Sequence, residues 1–289
     1  MPRVIQVPAS IGNLGPGFDT LGLAVSLHLR ATVLKRIDDG RGRLITHYAQ
    51  PRPRGDDGIA RAFRLEPFRT KRPPSLEVEI VSDIPERAGL GSSAAATITG
   101  LKLRQLCDGP VTDDELLRVA CQLERHPDNA AAAMFGGLTS SSVDDDGRVT
   151  VSRWRWPASW KLVIATPHVE LSTKLSRGAL PKAIPLPDVV FALQRVAMLL
   201  HAVNTRDATR LAAALDDRVH QPYRERLVPA LGPALDLRHP DLLGVCLSGA
   251  GPSVVAIARK NTDGVARALA AVYRKERIPC TLRIQRVHQ

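Results

Sequence analysis

Apolar and polar residues follow two different periods along the chain, and both periods occur in each half. A period of two, or a short compact apolar run, predicts strands. The predicted strands are 4–7, 21–36, 76–80, 162–165 and 281–287, with a strand–turn–strand unit over 243–258. Helical patterns separate these strands in both halves. This mixture of elements predicts the α+β class.

Apolar residues at helical spacing, together with capping residues, predict the helices. Thr112 and Glu115 form a capping box, because each side chain can bond a backbone amide in the first helical turn. The predicted helices are 59–65, 94–107, 112–124, a short helix after Pro127, 188–204, and 262–273 with Thr262 as its cap. The residues that share one face of helix 188–204, and are therefore expected in the core, are Leu193, Val196, Ala197 and Leu200.

The polar turn 140–147 predicts a boundary between two domains, 1–145 and 146–289. The composition supports a packed core, since 44% of the 289 residues are hydrophobic. We find no apolar run of about 18 residues and no signal-peptide pattern at the start, so we expect a cytoplasmic protein without a membrane partner. The four cysteines lie far apart without metal-ligand spacing, which predicts reduced core residues.

The net charge of +11 raises the question of a nucleic-acid partner. The basic residues are dispersed, apart from a loose cluster over 52–72, and no recognition motif with interleaved aromatic residues accompanies them. We therefore expect no nucleic-acid partner. A solvated basic face, or a field that attracts an anionic ligand, is the favoured interpretation.

A glycine-serine segment at 85–96, Pro-Glu-Arg-Ala-Gly-Leu-Gly-Ser-Ser-Ala-Ala-Ala, follows a predicted strand and opens a predicted helix. The start of a helix carries unpaired backbone amides and the positive end of its dipole, which favours phosphate. Gly89 and Gly91 would let the backbone approach oxygen atoms closely. The hydroxyls of Ser92 and Ser93 can cap the helix or reach a phosphate or a metal ion. An ordinary glycine turn with a serine cap remains the alternative.

Two further segments carry candidate chemistry. The loop 7–19, Val-Pro-Ala-Ser-Ile-Gly-Asn-Leu-Gly-Pro-Gly-Phe-Asp, is expected to point Asn13 and Asp19 inward, where an amide and a carboxylate can bond a polar substrate. An Asx-type turn with a surface aspartate is the alternative. The segment 247–253, Leu-Ser-Gly-Ala-Gly-Pro-Ser, would permit close packing against another loop or a phosphate, or form a tight hairpin.

Taken together, the three segments resemble the GHMP kinase family, and their details resemble its homoserine kinase members. The segments Leu-Glu-Arg-His-Pro-Asp-Asn at 123–129, Leu-Ser-Thr-Lys-Leu-Ser-Arg at 171–177 and His-Gln-Pro-Tyr-Arg at 220–224 extend the resemblance over nearly the whole chain. This resemblance implies an α+β fold of two domains with the active site between them. The N-terminal domain would resemble a ribosomal-protein domain, and the C-terminal domain would be ferredoxin-like. Many relatives are dimers, so a homodimer stays open.

The resemblance implies ATP and Mg²⁺ as cofactors and L-homoserine as the substrate. The residues expected to wrap the ATP phosphates are Pro85, Gly89, Leu90, Gly91, Ser92, Ser93, Ala94 and Ala95. Ser92 or Ser93 would hold magnesium together with Glu124, in keeping with the preference of Mg²⁺ for oxygen ligands. The alternative interpretation is that Glu124 is a solvated carboxylate at a helix end, with no metal bound.

The residues that the resemblance assigns to the homoserine pocket are Asn13, Asp19, His126, Arg177, Arg224 and Gly249. Asp19 would bond the reacting hydroxyl, the two arginines would hold a carboxylate or the moving phosphoryl group, and Thr173 would contact the transferred phosphate. Asn129 stands where several relatives place an aspartate base. Because an amide cannot act as a base, we expect catalysis by alignment and charge neutralisation.

This sequence departs from the family pattern at two informative positions. Arg125 replaces a glycine, which would be strained if the position needs a positive φ. The segment 56–59 lacks the asparagine that relatives often place near the adenine, so the contacts of the base stay open. Two alternative functions remain: a GHMP kinase for an isoprenoid precursor, shikimate or a sugar, and a non-catalytic GHMP-fold binding protein.

Overall fold

The computed structural model describes residues 3–51, 56–65 and 69–289, and of residues 173 and 174 it describes the backbone alone. Residues 52–55 and 66–68 of the loose basic cluster therefore lie outside the described part. The first half contains β1 (Val4–Gly12), β2 (Leu21–Ile37), β3 (Leu44–Tyr48), α1 (Gly58–Phe63), β4 (Ser75–Ser82), α2 (Ser92–Asp108), α3 (Asp113–Glu124), α4 (Asp128–Phe135), β5 (Leu138–Val143) and β6 (Val149–Trp154). The second half contains β7 (Lys161–Pro167), α5 (Thr173–Gly178), α6 (Leu186–Thr205), α7 (Leu211–Ala214), α8 (Gln221–Arg224), α9 (Leu231–Leu235), β8 (Leu242–Leu247), β9 (Val254–Ala258), α10 (Thr262–Lys275) and β10 (Cys280–Gln285).

The first sheet is organised around β2, a strand of 17 residues. It runs in the order β3-β4-β2-β5-β6, and β1 pairs with β2 in addition. All of its strand pairs are antiparallel except the parallel pair of β3 and β4. Helices α2 and α4 pack against β1, and α4 also packs against β2. The core of this half therefore lies between the sheet and its helices.

The second sheet has four antiparallel strands in the order β10-β7-β9-β8. Along the chain, β7 is followed by helices, then by β8, β9, α10 and β10. This βαββαβ succession is that of a ferredoxin-like domain, and it confirms the predicted α+β class.

The two sheets are also joined by the last residues of the chain. Val287 forms an isolated bridge with Val25 of β2. The backbone amide of Ser26 donates to the carbonyl of Arg286, and that of His288 donates to Ala24. The chain end that leaves β10 thus pairs with the first sheet.

The turn that suggested a boundary near residue 145 connects β5 and β6, which are neighbours in the first sheet. The change of sheet comes later, between Trp154 and Lys161. Trp156 and Trp160 lie in this connection, with their rings edge to face at 5.5 Å and the Trp156 indole N–H donating to the Trp160 carbonyl. The division at 145 stays a prediction.

Helix α6 differs from its predicted packing. Leu193 is 66% exposed and Ala197 is also exposed, whereas Leu199, Ala202 and Val203 are buried. Val196 and Leu200 are half-buried against the core as predicted, so the prediction is wrong only for Leu193 and Ala197. The helix is apolar on more than one side, and its pattern does not select a single face.

By length and composition, α6 is the one helix in the described part of the chain that could cross a membrane. Of the 18-residue stretch that meets this criterion, 17% is buried inside the protein. This corrects the expectation that the chain lacks an apolar run of such length. A single helix of this kind is weak evidence for a membrane span, since core helices of soluble proteins pass the same test.

Three local details refine the other predictions. Strand β1 continues to Gly12, so its last five residues replace the first part of the predicted loop. Asn261, not Thr262, caps α10 by accepting a hydrogen bond from the Gly264 amide. Arg125 ends α3 at φ +67°, which is the left-handed conformation anticipated for a position that relatives fill with glycine. An arginine in this conformation costs roughly 1 kcal/mol.

Gly22 lets α4 lie directly against β2, and this contact gives the first stability prediction. A Cβ at Gly22 would lie 2.1 Å from the Asp128 carbonyl oxygen and 2.9 Å from the Ala132 Cβ. Gly22→Ala should therefore push α4 away and lower the free energy of unfolding by about 1–3 kcal/mol, measured by urea denaturation.

The matched control is Gly178→Ala, because a Cβ there meets no described atom within 4 Å. The control should leave stability unchanged or raise it slightly. Equal stability of the Gly22 variant and the wild type would contradict the close packing of α4.

Candidate active site

A cleft of about 480 Å³ opens where loops from the two sheets meet. The predicted site residues that line it are Asn13, Asp19, Gly89, Gly91, Ser92, Ala94, Glu124, His126, Asn129, Arg177, Arg224 and Gly249. The fold thus brings together residues from both halves; Asn13 and Gly249 are 236 positions apart, yet the Asn13 Nδ2 donates to the Gly249 carbonyl at 3.1 Å.

The N-terminus of α2 faces this cleft. The helix begins at Ser92, and no side chain caps its first amides. The preceding residue, Gly91, has φ +69°, a conformation that glycine adopts without strain. A helix of 17 residues with open N-terminal amides favours an anionic group such as phosphate.

The phosphate-loop backbone is held from the opposite side by the β8–β9 turn. A Cβ at Gly89 would lie 2.4 Å from the Ser248 carbonyl oxygen, so only glycine fits there. The Ser248 hydroxyl donates to the Gly89 carbonyl at 2.6 Å, and the Ser253 amide donates to the Ala88 carbonyl at 3.2 Å. The loop is therefore fixed before any ligand binds.

Four predicted phosphate-loop residues lie outside the described lining of the cleft: Pro85, Leu90, Ser93 and Ala95. The side chains of Leu90 and Ala95 are buried in the core, so these residues could act only through their backbone. Ser93 faces an adjoining cavity on the other side of the helix start.

Glu124, at the end of α3, joins a small oxygen cluster. Its Oε1 accepts hydrogen bonds from the Ser93 hydroxyl at 3.0 Å and the Thr97 hydroxyl at 2.6 Å. Arg61 approaches the same oxygen at 3.5 Å. Carboxylate and hydroxyl oxygens suit Mg²⁺, so this cluster fits a divalent cation. No group of three or more His, Cys, Asp or Glu side chains with metal-binding geometry occurs within the described ranges.

The β1–β2 loop has an unusual backbone that aims its polar groups at the cleft. Asn13, Leu14 and Asp19 all have positive φ angles, of 72°, 49° and 52°. The Asn13 side chain stabilises this shape, since its Oδ1 accepts from the Asp19 amide at 3.0 Å while its Nδ2 donates to Gly249. Asn13 is 3% exposed and thus acts first as a structural link in the site.

Asp19 pairs with Arg177 across the cleft. The Arg177 Nη2 lies 2.7 Å from one Asp19 carboxylate oxygen and 2.8 Å from the other. Helix α5, which carries Arg177, is tied to the β8–β9 turn because the Ser176 hydroxyl donates to the Ala250 carbonyl. Thr173 begins the same helix, and its side chain lies outside the described part, so its predicted phosphate contact stays a prediction.

Arg224 reaches the cleft from the buried helix α8. Its Nη1 donates to the His220 Nδ1 at 3.0 Å and to the Gly249 carbonyl at 2.9 Å. The Phe18 ring lies 5.5 Å from its Cζ, within cation–π range. Burial and the charge of Arg177 together lower the pKa of Arg224 to about 10, against the opposing effect of Asp19. The group nevertheless stays cationic at neutral pH.

His126 and Asp128 form a second polar pair in the cleft. The His126 Nδ1 lies 2.9 Å from the Asp128 Oδ1, and Asp128 is 2% exposed. Burial alone would lower the pKa of His126, but the hydrogen bond and charge of Asp128 outweigh it and raise the pKa above its ordinary value.

A second cavity of about 460 Å³ adjoins the start of α2. It is lined by Ile59, Ile80 and Ala96, among others. At its edge, the Asp57 carboxylate caps α1 by accepting from the Ala60 amide and also accepts from the Tyr48 hydroxyl. In the segment where an asparagine was expected, Asp57 therefore has a structural role.

Sequence reasoning missed Thr97, Asp128 and His220. Thr97 lies four residues after Ser93, one helical turn on, and this spacing could have placed both hydroxyls beside Glu124. Asp128 and His220 stand inside motifs that were quoted. Their roles depend on contacts with distant segments, which no local pattern reveals.

Family models match segments in both halves of the chain, and known relatives match it over almost its full length. The description "GHMP kinases N terminal domain" matches residues 58–137, and "GHMP kinases C terminal" matches residues 199–275. The homoserine kinase of Moorella thermoacetica is 38% identical, over 97% of this chain and 95% of that protein. The homoserine kinase of Solibacter usitatus is 37% identical, over 93% of this chain and 90% of that protein.

A solved structure extends the agreement to three dimensions. The homoserine kinase of Cytophaga hutchinsonii superposes with a TM-score of 0.81 at 25% identity, covering 99% of this chain and 95% of that one. Because relatives above 30% identity span almost the full length, and both family models match, the chain belongs to the homoserine kinase branch of the GHMP kinase family.

Proposed function

We propose that this protein transfers the γ-phosphate of ATP to the side-chain hydroxyl of L-homoserine, giving O-phospho-L-homoserine in threonine biosynthesis. The observation that carries the proposal is one cleft in which the open N-terminus of α2 faces Asp19, Arg177 and Arg224. A phosphate site thus adjoins groups that suit an amino-acid alcohol. Membership of the homoserine kinase branch supports this substrate.

The nucleotide would bind with its phosphates at the start of α2, against Gly89, Gly91 and Ser92. The adjoining cavity beside Ile59 and Ala96 would take the base, because its lining is partly apolar and continuous with Ser92. The backbone amides and the helix dipole would compensate the phosphate charge without any side-chain movement.

Glu124 and Ser93 would hold Mg²⁺, with Ser92 as a further hydroxyl ligand from the same turn. When bound there, the ion would supply positive charge beside the phosphate groups. Thr97 would orient Glu124, since its hydroxyl already bonds the carboxylate oxygen that Ser93 also bonds. The approach of Arg61 to the same oxygen supplies a counter-charge to this carboxylate.

Homoserine would lie between Asp19, His126 and the two arginines. Asp19 would accept a hydrogen bond from the reacting hydroxyl and so orient its lone pair toward phosphorus. Arg224 would hold the substrate carboxylate or the transferred phosphoryl group through its fixed guanidinium. Since phosphoryl transfer has a loose transition state, this positioning and neutralisation would supply most of the catalysis.

We further propose a cytoplasmic enzyme with two domains and a small-molecule substrate as its partner. The four cysteines are free thiols, three of them buried, which supports a reducing compartment.

The direct test is a coupled assay of ADP release from Mg-ATP, with L-homoserine beside mevalonate, shikimate, galactose and L-threonine as acceptors. Activity confined to homoserine supports the proposal. Activity on another alcohol would support the phosphate site but refute homoserine as the substrate. No activity with any acceptor, together with retained ATP binding, would favour a non-catalytic protein.

Asp19→Asn should lower kcat with homoserine by about 10²–10⁴-fold, because an uncharged amide accepts a weaker hydrogen bond than a carboxylate and therefore orients the reacting hydroxyl poorly. The KM for ATP should change little, and steady-state kinetics measure both. Asp188→Asn is the control, since Asp188 forms an ion pair with Arg218 away from the cleft. Near-normal turnover of the Asp19 variant would refute its role.

Thr97→Val should raise the Mg²⁺ concentration needed for half-maximal activity by roughly 10-fold or more, because Glu124 loses the donor that orients it. The readout is a magnesium titration at fixed ATP. Thr99→Val is a matched control on the same helix, since the Thr99 hydroxyl bonds the Ala95 carbonyl and not Glu124. Equal magnesium requirements in the two variants would contradict the assignment of Thr97.

A further inference from the structure

Arg224 is a buried cation whose direct hydrogen-bond partners are all uncharged. The residue is 2% exposed, yet it forms no ion pair with any acidic side chain in the described part of the chain; Asp19, Asp217 and Asp128 act on it only at longer range. Its Nε, also buried, has no hydrogen-bond partner there. A buried charge without a direct partner is costly, and an anionic ligand in the cleft would complete it.

The two groups that hold Arg224 are both uncharged acceptors. One is the Gly249 carbonyl, and the other is the Nδ1 atom of His220. Because guanidinium N–H groups only donate, the Nδ1 atom must offer a lone pair. The opposite ring atom, Nε2, lies 2.7 Å from the Gly15 carbonyl, which only accepts, so the proton of the imidazole is on Nε2.

This pattern assigns one protonation state to the His220 ring. A doubly protonated imidazole would turn an N–H toward the N–H of Arg224 and lose that contact. Full burial lowers the pKa of His220, and the charge of Arg224 adds to this effect, against the opposing charge of Asp217. The ring is therefore neutral at neutral pH.

The carboxylate beside His220 does not contact the arginine directly. Asp217 accepts hydrogen bonds from the backbone amides of Val219, His220 and Gln221, so its oxygens are engaged at the start of α8. It lies 3.4 Å from the His220 Nε2, on the far side of the ring from Arg224. The imidazole thus separates the carboxylate from the guanidinium.

We propose that His220 is a positioning residue, whose Nδ1 lone pair aims Arg224 into the cleft while leaving its positive charge available to an anionic group of the substrate. A carboxylate in its place would fix the arginine equally well but would cancel the charge. The Nε2 bond to Gly15 also fixes the β1–β2 loop relative to α8, so that Asp19 and Arg224 face the same space. This inference rests on the proposed function for the identity of the anion.

Two near-isosteric variants separate the two ring atoms. His220→Asn retains an acceptor at the place of Nδ1, and His220→Gln retains a donor at the place of Nε2. If the contact with Arg224 matters, His220→Gln should lower kcat/KM for homoserine about 100-fold, whereas His220→Asn should lose no more than about 10-fold. The KM for homoserine should rise in the Gln variant more than the KM for ATP.

If His220 served only to tether the loop at Gly15, His220→Asn would lower kcat/KM more than His220→Gln. A Gln variant as active as the Asn variant would overturn the proposal. Thermal unfolding of both variants excludes global unfolding as the cause of any difference. ¹⁵N NMR of histidine-labelled wild-type protein at pH 7, with His220 assigned through its variants, needs no substrate. An unprotonated Nδ1 with protonated Nε2 is expected, and a protonated Nδ1 would overturn the proposal even if homoserine proved not to be the substrate.

Discussion

The site depends on three segments that lie against each other mainly through backbone atoms. A Cβ at Gly89 would meet the carbonyl oxygens of Ser248 and Gly251 at 2.4 and 2.6 Å, and the Ser10 amide of β1 donates to the Leu90 carbonyl at 3.1 Å. The phosphate loop is therefore clamped between β1 and the β8–β9 turn, one from each sheet. Because these contacts are made by backbone atoms, the loop needs no ordering when a ligand binds, which reduces the entropic cost of binding. The same clamp sets how the two sheets face each other across the cleft.

Around this clamp, charges of both signs are held apart by specific contacts. Asp217 is engaged with backbone amides and Glu124 with two hydroxyls, while Arg224 is held by neutral acceptors. Asp19 and Arg177 form a close ion pair, and both are partly exposed, so water and substrate can compete for it at low cost. A cleft built in this way presents positive charge to an anionic substrate and keeps negative oxygens for a metal ion. This division suits transfer of a phosphoryl group from an anionic nucleotide to an acceptor that carries a carboxylate.

Local patterns predicted the elements that have one clear period, including β2, β4 and α3. The three glycine-rich segments located the cleft, because turn glycines followed by serines at a helix start have a recognisable composition. The buried face of α6 could not be predicted, since a helix that is apolar on several sides has no single apolar face. Thr97 and His220 were missed for a different reason: each acts through an atom on a distant segment, Glu124 and Arg224, and only the fold determines which distant atoms meet. The positive φ of Arg125 shows the opposite case, where one departure from a motif predicted a backbone conformation.

The orientation of Asn129 bears on how the reaction avoids a general base. Its Nδ2 lies 3.3 Å from the Asp128 carboxylate, which only accepts, so the other amide atom must be the oxygen. That oxygen accepts the Ser10 hydroxyl at 2.9 Å. Both ends of the Asn129 amide are therefore held by neighbouring side chains, and an amide cannot remove a proton. A residue fixed in this way suits a reaction in which alignment of the hydroxyl and neutralisation of the phosphate charge replace a general base.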